Sequence, residues 1–526
     1  AVRLAQTYRD RARCRQAFAD SEQFWSRTLG QIEVQTPSAE TDALMNGWLL
    51  YQALCCRMWA RTGFYQAGGA YGYRDQLQDS LSLLHTRPDL TRAQILLHAS
   101  HQYEEGDVQH WWHEETGMGI RTRFSDDFLW LPYAASRYVD HTGDDTLWDA
   151  VVPYLRSGPL ADGEHERYEK TELSPASGTL YEHCTRAIEL ALGRIGEHGL
   201  PLIGIGDWND GMSSIGDEGR GESVWLCWFL CAVLERFAEY ARKREEHERS
   251  RTYAEARNRL VEAANRHAWD GSWYRRAFTD AGGWIGSESG PECRIDAIAQ
   301  SWSVISGAAP ADRAERAMDS FDRLLVDRKL SLARLLDPPF DRMKPSPGYI
   351  QGYPPGIREN GGQYTHGVIW GVVAWSMLGR NEKAWELFHL LNPIRHTQTM
   401  EQVARYRGEP YVMAADVYTA RPHEGRAGWT WYTGAAGWMY QACLEWLLGV
   451  RRQGNRLTIR PALPDDWPGF HLTYRFGRTT YRIAVRNRRH EAGAEPHSSN
   501  NAAQAQDRCV IELTDDGKEH RVELTC

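Results

Sequence analysis

Apolar and aromatic residues recur at helical spacing over most of the chain. In segment 48–59 they fall three and four positions apart, which is the spacing that buries one face of an α-helix. The same spacing recurs in segments 91–103, 126–141, 178–196, 223–241, 310–326, 368–379, 382–391 and 433–448. The pattern therefore predicts a mainly helical region over residues 41–450, preceded by a helical linker over residues 1–40.

Long connections separate the helical segments. Segments 199–222 and 336–366 are rich in Gly, Pro, Trp and Asp, whereas the helices of a simple bundle are joined by tight turns. Long loops at one end of a rigid scaffold commonly form functional sites. The sequence shows no repeat of 34 or 42 residues, which argues against a superhelical repeat array.

The pattern changes to period two near residue 451. Alternating apolar residues predict short strands at 457–459, 472–476, 481–485, 509–513 and 522–524. Asp516 and Gly517 are expected to form a hairpin turn. Residues 451–526 are therefore expected to form a small antiparallel β domain, in which the polar segment 491–507 is a flexible insertion between two strands.

The composition narrows the class of protein. Of the 526 residues, 42% are hydrophobic and 25% are charged, as is typical of a folded globular chain. The formal net charge of −9 provides no basic field for a phosphate backbone, so no nucleic acid partner is expected. The sequence has no run of 18 apolar residues and no signal peptide, and its ten cysteines fall mostly in apolar helical patterns. We therefore expect a cytoplasmic chain with reduced thiols.

Tryptophan and tyrosine are abundant, with 22 and 24 residues. Flat apolar rings with a polar edge suit the faces of sugars, while neighbouring acids and amides bind the hydroxyl groups. Tryptophans within the helical segments are better explained by core packing. For the loop tryptophans, core packing and sugar binding are equally good explanations; examples are Trp111, Trp112, Trp208, Trp284, Trp429 and Trp431.

The strongest local signal is segment 204–212, GIGDWNDGM. It places two carboxylates, a tryptophan and three glycines in one loop between helical segments. Glycine lets the backbone approach a ligand, and a carboxyl group beside an indole in a partly dry pocket can have its pKa raised until it serves as a general acid. The structural alternative is that Asp207 caps a helix or a turn.

This loop closely resembles the catalytic loop of glycoside hydrolase family 94, the inverting phosphorylases that act on cellobiose, chitobiose and β-1,2-oligoglucans. Further segments resemble motifs of that family in the same order, namely 59–65, 71–79, 107–112, 295–302, 359–366 and 431–436. The resemblance covers residues 45–445. It implies a mainly α fold, in which an (α/α)₆ barrel is followed by a small antiparallel β unit. The family's β-sandwich, absent from this chain, is expected upstream.

The resemblance also implies which residues act on the sugars. Asp210 would be the general acid that protonates the leaving group. The residues expected to bind sugar are Arg74, Asp75 and Trp208 for the donor sugar, and Arg358 and Glu359 for the leaving sugar.

Four further residues are implied to bind phosphate, namely Arg61, His366, Thr433 and the backbone of Gly434. Each suits an anion on chemical grounds. Arginine offers a forked cation and histidine a second donor, while Thr433 and Gly434 open a helix whose free N–H groups and dipole favour negative charge.

One segment departs from the cellobiose phosphorylases, which have an Arg within Gly-Arg-Gly shortly before the Arg-Asp pair. This chain has GGAYG at 68–72. The variant, with EGDVQHWW, TRFSDD and GESVW, looks closest to members acting on β-1,2-glucan, among them the C-terminal phosphorylase domains of cyclic β-1,2-glucan synthases. Because the chain starts with alanine and enters a helical pattern at once, we expect a piece of a longer polypeptide, such as the cytoplasmic part of an inner-membrane synthase.

The implied reaction is inverting phosphorolysis of a β-glucan oligosaccharide. Inorganic phosphate attacks the anomeric carbon opposite the leaving sugar while Asp210 protonates the glycosidic oxygen, giving α-glucose 1-phosphate and a shortened glucan. No catalytic base is needed because phosphate is already nucleophilic. Phosphate is thus a co-substrate, no cofactor or metal is expected, and a homodimer stays open.

Three alternatives stay open. An inverting hydrolase would use Glu359 or Asp75 as its base and would need no phosphate. A non-catalytic glucan-binding domain could help a synthase measure chain length, although the intact acid and phosphate ligands argue against it. His110 and His113 with Glu114 could hold zinc, but histidines three residues apart without a third well-spaced ligand are a weak signal.

Overall fold

The computed structural model describes residues 2–60, 68–491 and 509–526. The helices in these ranges are α1 (Val2–Thr7), α2 (Arg11–Leu29), α3 (Ala39–Ala43), α4 (Leu49–Gln52), α5 (Tyr73–Leu81), α6 (Pro88–Ala99), α7 (Trp130–Thr142), α8 (Leu180–Leu192), α9 (Val224–Lys243), α10 (His247–Ala263), α11 (Ala297–Ile305), α12 (Ala311–Leu325), α13 (Thr365–Met377), α14 (Asn381–Leu391), α15 (Met400–Tyr406), α16 (Ala435–Gln441) and α17 (Arg488–Glu491). Wider π-helical turns join α3 to α4 and extend α4 to Trp59 and α16 to Leu447.

The strands are mostly short. They are β1 (Ile32–Gln35), β2 (Tyr71–Gly72), β3 (Gln109–His113), β4 (Met118–Thr122), β5 (Val151–Arg156), β6 (Glu166–Lys170), β7 (Glu172–Thr179), β8 (Glu222–Ser223), β9 (Ala277–Phe278), β10 (Trp284–Ile285), β11 (Ile295–Asp296), β12 (Val326–Asp327), β13 (Leu332–Ala333), β14 (Leu336–Asp337), β15 (Gln363–Tyr364), β16 (Asp416–Val417), β17 (Val450–Gln453), β18 (Arg456–Ile459), β19 (Gly469–Phe476), β20 (Thr479–Arg486), β21 (Cys509–Glu512) and β22 (Glu519–Thr525).

Every segment with the helical apolar pattern contains a helix, which confirms the mainly helical prediction. The pattern does not predict α5 and α11, because polar residues occupy much of their buried surface. Arg74, Gln76 and Gln78 of α5 are buried, as are Gln300 and Ser301 of α11. A hydrophobic periodicity cannot reveal a helix whose buried face is polar.

Six of these helices contact one another in a ring. Helices α5, α7, α9, α11, α13 and α16 each contact the next in this order, and α16 also contacts α5. Each of them contacts a partner helix as well, namely α6, α8, α10, α12, α14 and α4 respectively. Between the ring helices, the long connections form short β-ladders, of which β2–β3–β4–β6 is the largest.

Tryptophans from five successive ring helices pack against one another in the buried core. Ring centroids lie 6.4 Å apart for Trp130 and Trp302, 6.0 Å for Trp225 and Trp302, 5.3 Å for Trp302 and Trp370, and 5.6 Å for Trp370 and Trp438. All five side chains are buried. Core packing is therefore the confirmed role of these helical tryptophans.

The prediction of a purely helical linker over residues 1–40 is wrong at one point. Ile32 to Gln35 form β1, which pairs antiparallel with β19, so that Val34 lies opposite Leu472. Ile32 and Val34 are buried while the residues between and after them are exposed, which is the alternation of a half-buried strand. Four residues are too short a run to stand out beside the preceding helical pattern.

The C-terminal region forms two sheets, β1–β19–β20–β22 and β17–β18–β21. The prediction of an antiparallel unit is wrong for one pair, since β20 and β22 run parallel. The expected hairpin at Asp516 and Gly517 is also wrong, because β21 pairs with β18 and β22 with β20. The turn therefore connects the two sheets. After it, β22 joins the sheet that contains β20 and runs parallel to β20. Apart from residue 491, the predicted insertion lies outside the described residues.

Six of the ten cysteines are buried. Among the described residues, no helix is both long enough and apolar enough to cross a bilayer.

A double-mutant cycle tests the pairing of β1 with the C-terminal sheet. We expect Val34→Ala and Leu472→Ala to couple by about 0.5–1 kcal/mol in the free energy of unfolding, because the two side chains are cross-strand neighbours in one core. The measurement is urea unfolding. In the control cycle, Val34→Ala is combined with Leu457→Ala in the other sheet, and the effects should add within about 0.5 kcal/mol. Additive effects for the first pair would contradict the observed register.

Candidate active site

Arg74, in the first turn of α5, connects three segments of the candidate site. Its Nη1 donates to Asp126 Oδ1 at 2.7 Å and to the backbone oxygen of Asp207 at 3.0 Å, and its Nη2 donates to Asp210 Oδ1. Burial would lower the pKa of Arg74, but the charges of Asp126 and Asp210 outweigh it and raise the pKa well above its ordinary value. Arg74 therefore remains cationic and holds the 204–212 loop against α5.

Buried polar contacts fix the shape of the 204–212 loop. Asp207 is fully buried, and its two carboxylate oxygens accept hydrogen bonds from Arg276 at 2.6 and 2.7 Å and from Ser223 Oγ at 2.6 Å. Its Oδ1 also accepts from the N–H of Asn209 at 3.0 Å, which closes a turn. The structural explanation of Asp207 is therefore confirmed. Asp210 is the carboxylate of this loop that reaches solvent.

Asp210 has a side chain that is 34% exposed. Arg74 occupies Oδ1, whereas Oδ2 lies 3.9 Å from His110 Nε2. The distance exceeds that of a hydrogen bond, so Oδ2 is the oxygen available to a substrate.

His110 on β3 lies beside Asp210, although the sequence analysis considered it only as a possible zinc ligand. Its Nδ1 lies 2.7 Å from Asp127 Oδ2, and its ring stacks on Phe124 at a centroid distance of 4.4 Å. Burial lowers the pKa of His110, but Asp127 and Asp210 together raise it to about 8. The sequence feature that could have indicated this position is that His110 lies in segment 107–112, which resembles a motif of the family.

Asp75 is paired with Arg57, which the sequence analysis missed. Arg57 Nη2 donates to Asp75 Oδ1 at 2.9 Å, and Nε donates to Asp79 Oδ2 at 2.8 Å. Burial raises the pKa of Asp75, but Arg57, Arg74 and His110 outweigh it and lower the pKa to about 2. Since its side chain is 47% exposed, Asp75 offers an ionised acceptor to a ligand.

The structure brings His366, Thr433 and Gly434 together. His366 lies in the first turn of α13, and the other two residues immediately precede α16. A Cβ on Gly434 would lie 2.8 Å from His366 Nδ1, so a larger residue would displace the ring. His366 Nε2 lies 3.0 Å from Gln78 Oε1, which also accepts from Trp438 Nε1 at 3.0 Å. Because burial lowers the pKa of His366 to about 3, the ring is neutral, with its hydrogen on Nε2.

Arg61, the remaining predicted phosphate ligand, lies outside the described residues. Trp208, predicted to line the donor subsite, is 7% exposed. Its ring packs against His366 at 5.1 Å and against Trp370 at 4.9 Å. Trp208 therefore joins the candidate site to the tryptophan core.

Arg358 and Glu359 precede α13. Arg358 has a left-handed φ of 52°, its N–H donates to Asp416 Oδ2 at 2.9 Å, and its Nε lies 3.2 Å from Glu359 Oε2. Burial raises the pKa of Glu359 despite the opposing charge of Arg358, and Asp210 raises it further. Burial and the charges of Glu359 and Asp210 also raise the pKa of Tyr364. The charge of Asp210 therefore acts on both Glu359 and Tyr364.

The zinc alternative gains no support from the geometry. His110 is engaged by Asp127. Within the three described ranges, no cluster of three or more His, Cys, Asp or Glu side chains is arranged to hold a metal ion.

Comparison with known protein families gives a match over most of the chain. The model of the glycosyl hydrolase 94 superfamily, catalytic domain, matches residues 24–449. The chain belongs to this family.

Relatives in the family include a synthase and several phosphorylases. Cyclic β-(1,2)-glucan synthase NdvB of Rhizobium meliloti (strain 1021) is 46% identical over 486 residues, which are 92% of this chain and 17% of the synthase. Solabiose phosphorylase of Paenibacillus borealis is 32% identical, covering 94% of this chain and 60% of that protein. N,N'-diacetylchitobiose phosphorylase of Vibrio proteolyticus is 31% identical, covering 93% and 61%. The chain therefore spans less than two thirds of each of these relatives.

A solved structure also resembles the fold. The GH78 family rhamnosidase of Bacillus sp. GL1 superposes with a TM-score of 0.56 at 12% identity, covering 94% of this chain and 44% of that chain. At this identity the likeness concerns the fold alone.

We expect His110 to titrate near pH 8 in the ligand-free protein, as measured by NMR on ¹³C-labelled histidine. In Asp127→Asn its pKa should fall below the ordinary value of about 6.5, because burial then outweighs the remaining attraction. Since the folded pKa is raised, ionised His110 stabilises the fold at pH below about 6.5, and this stabilisation is lost as the pH rises through 8. The His110→Gln variant identifies the resonance of His110, because that resonance is absent from its spectrum. Titration of wild-type His110 at or below pH 6.5 would contradict the assigned ion pair.

Proposed function

We propose that this chain is the catalytic part of an inverting glycoside phosphorylase that cleaves a β-linked glucan, preferentially β-1,2-linked, with inorganic phosphate. The main supporting observation is that an accessible acid, Asp210, lies in one site with the anion cradle formed by His366, Thr433 and Gly434. The phosphorylases among the relatives add weight to the proposal. We also propose that the six contacting helices are the inner layer of an (α/α)₆ barrel.

In the proposed reaction, Asp210 Oδ2 gives its proton to the glycosidic oxygen. A phosphate oxygen forms a bond to the anomeric carbon as the bond from that carbon to the leaving sugar breaks. The electron pair of the broken bond remains on the protonated oxygen, so the products are α-glucose 1-phosphate and a glucan one residue shorter. Arg74 positions Asp210 through its other oxygen.

The proposed nucleophile needs no protein base. An inverting hydrolase places a second carboxylate about 6.5–9.5 Å from the acid to deprotonate water, whereas phosphate is already nucleophilic. Asp207 is unavailable for that role because it is buried and paired with Arg276.

The hydrogen bonds of His366 favour a protonated form of phosphate. Its Nε2 hydrogen is engaged by Gln78, so the neutral ring can offer phosphate only the lone pair of Nδ1. A phosphate oxygen that retains its proton can donate to that lone pair. Thr433, the N–H groups at the start of α16 and Arg61 would then bind the remaining oxygens.

In this proposal two acids would hold the sugars. Asp75, ionised and half exposed, would accept hydrogen bonds from hydroxyl groups of the donor sugar. Arg358 and Glu359 would contact the leaving sugar, and Tyr349, which is 49% exposed, offers an aromatic face near them. The similarity to a cyclic glucan synthase supports a cytoplasmic, chain-length-controlling domain in a larger inner-membrane polypeptide that includes an upstream β-sandwich.

The decisive assay incubates the protein, extended upstream to include the β-sandwich, with β-1,2-, β-1,3- and β-1,4-linked gluco-oligosaccharides, with and without phosphate. We expect α-glucose 1-phosphate only when phosphate is present, and fastest from the β-1,2 substrate. Equal glucose release without phosphate would identify a hydrolase, and no turnover in either buffer would identify a binding domain. Faster cleavage of β-1,4 linkages would overturn the proposed preference.

Asp210→Asn should reduce phosphorolysis by about 10²–10⁴-fold, because the poor alkoxide leaving group is no longer protonated. Synthesis from α-glucose 1-phosphate should fall by the same factor, since both directions share one transition state. The matched control is Asp217→Asn, which changes an exposed acid seven residues further on and should retain activity. Retention of more than about a tenth of wild-type activity by Asp210→Asn in either direction would refute the role of the acid.

A further inference from the structure

A second polar cavity lies far from Asp210, where the helices meet the C-terminal sheets. Its volume is about 360 Å³, and it opens between the last turn of α7, the helical extension of α16 and the hairpin β17–β18. Helix α7 follows Asp126 and Asp127 of the candidate active site and contributes Arg137, Asp140 and His141 to the lining of this cavity. These three residues lie 10 to 14 positions after Asp127, so at about 1.5 Å per residue the helix separates the two sites by roughly 15–20 Å.

Arginine dominates the lining of this cavity. Five arginines face two carboxylates, Asp140 and Glu445, and leave three positive charges in excess; the arginines are Arg137, Arg236, Arg451, Arg452 and Arg460. Arg137 is paired with Glu445, and Arg236 with Asp140.

The other three arginines have no acidic partner within the described ranges. Arg451 Nε donates to the backbone oxygen of Glu445 at 2.9 Å, and Arg452 Nε to that of Gly454 at 2.6 Å. For the side chain of Arg460, no hydrogen bond or ion pair with a described residue is found. Burial lowers the pKa of Arg451 to about 10, and the nearby charges of Arg137 and Arg460 add to this effect, while the charge of Glu445 opposes it. The cations therefore repel one another across the cavity.

Two buried histidines add unused polar atoms to the lining. His85 and His141 are each 5% exposed, and their rings lie 4.3 Å apart. In the part of the chain that the structure describes, His141 Nε2 has no hydrogen-bond partner, whereas His85 Nε2 lies 3.6 Å from Glu445 Oε1. Burial lowers the pKa of both rings, so they are neutral and do not offset the arginines. Polar atoms buried without a partner are uncommon and point to a missing ligand or ordered water.

We propose that this cavity binds a phosphate-bearing small molecule, either inorganic phosphate or a sugar phosphate, at a site separate from that around Asp210. Guanidinium groups match the oxygens of a phosphate in pairs. Three excess charges converging on one cavity suit a doubly charged anion better than a single carboxylate. The volume lies in the range of small-molecule sites and leaves room for a sugar beside the phosphate. The chain's net negative charge and the cavity's small size disfavour a polyanion.

Equilibrium dialysis with labelled inorganic phosphate and, separately, labelled α-glucose 1-phosphate tests the proposal on the purified chain. In the double variant Arg451→Gln/Arg460→Gln, we expect the affinity of one class of binding sites to fall at least about tenfold, because two charge-assisted hydrogen bonds to the ligand are lost. Arg456→Gln, on the same hairpin but outside the cavity lining, is the control and should bind as the wild type does. The ligand whose binding is weakened in the double variant is the occupant of the cavity.

The proposal is overturned if the double variant binds both ligands as the wild type does, or if the wild type has no class that these arginines affect. Circular dichroism and thermal unfolding show whether the variants fold. Arg460→Gln alone, which removes an exposed side chain without a described partner, provides a second variant if the double one does not fold. His366→Asn removes a residue of the other site. A class of binding sites that is lost in this variant but kept in the arginine double variant therefore belongs to the proposed phosphorylase site and not to this cavity.

Discussion

The tryptophans that pack edge to face at the centre of the helical ring are the packing constraint on which the site depends. Trp370 is in contact with Trp302 and Trp438 in the core, and with Trp208 and His366 at the site. Each such ring buries about 150–250 Å², and each aromatic pair adds about 0.5–1.5 kcal/mol beyond burial. Because close-packed interiors do not deform continuously, the core fixes the ring helices and the site residues attached to them.

Helix α5 extends this constraint into the polar part of the site. Arg74, Asp75, Gln78 and Asp79 lie one turn apart in pairs, so they share one face of the helix. Arg74 holds Asp210, whereas Gln78 orients His366. A single rigid element thus positions Asp210 and His366 relative to each other. The charges are tolerated because each is paired, as buried ions require.

The sequence predicts the parts of the molecule whose physical cause is local. Amphipathic helices follow from apolar spacing, and the 204–212 loop is conspicuous because it concentrates glycine, tryptophan and acid. The polar helix α5 is not predicted as a helix, since its polar residues are matched by partners from distant segments. The place of His110 beside Asp210 was not predicted for the same reason: Asp127 and Asp210, whose charges raise its pKa, are close to it only in the folded chain. That His366 and Gly434 lie together could be predicted only from the resemblance to the family.

The pairing of β1 with β19 has a consequence for the order in which the protein can assemble. Val34 and Leu472 face each other, yet they leave the ribosome roughly 20 to 90 s apart at synthesis rates of about 5–20 residues per second. During that interval β1 has no partner strand, while the helices that lie between β1 and β19 in the chain are already forming. The sheet therefore closes only when β19 pairs with a strand that was synthesised more than 430 residues earlier. The ring helices can pack locally, one after another, whereas this sheet depends on a contact between two distant segments.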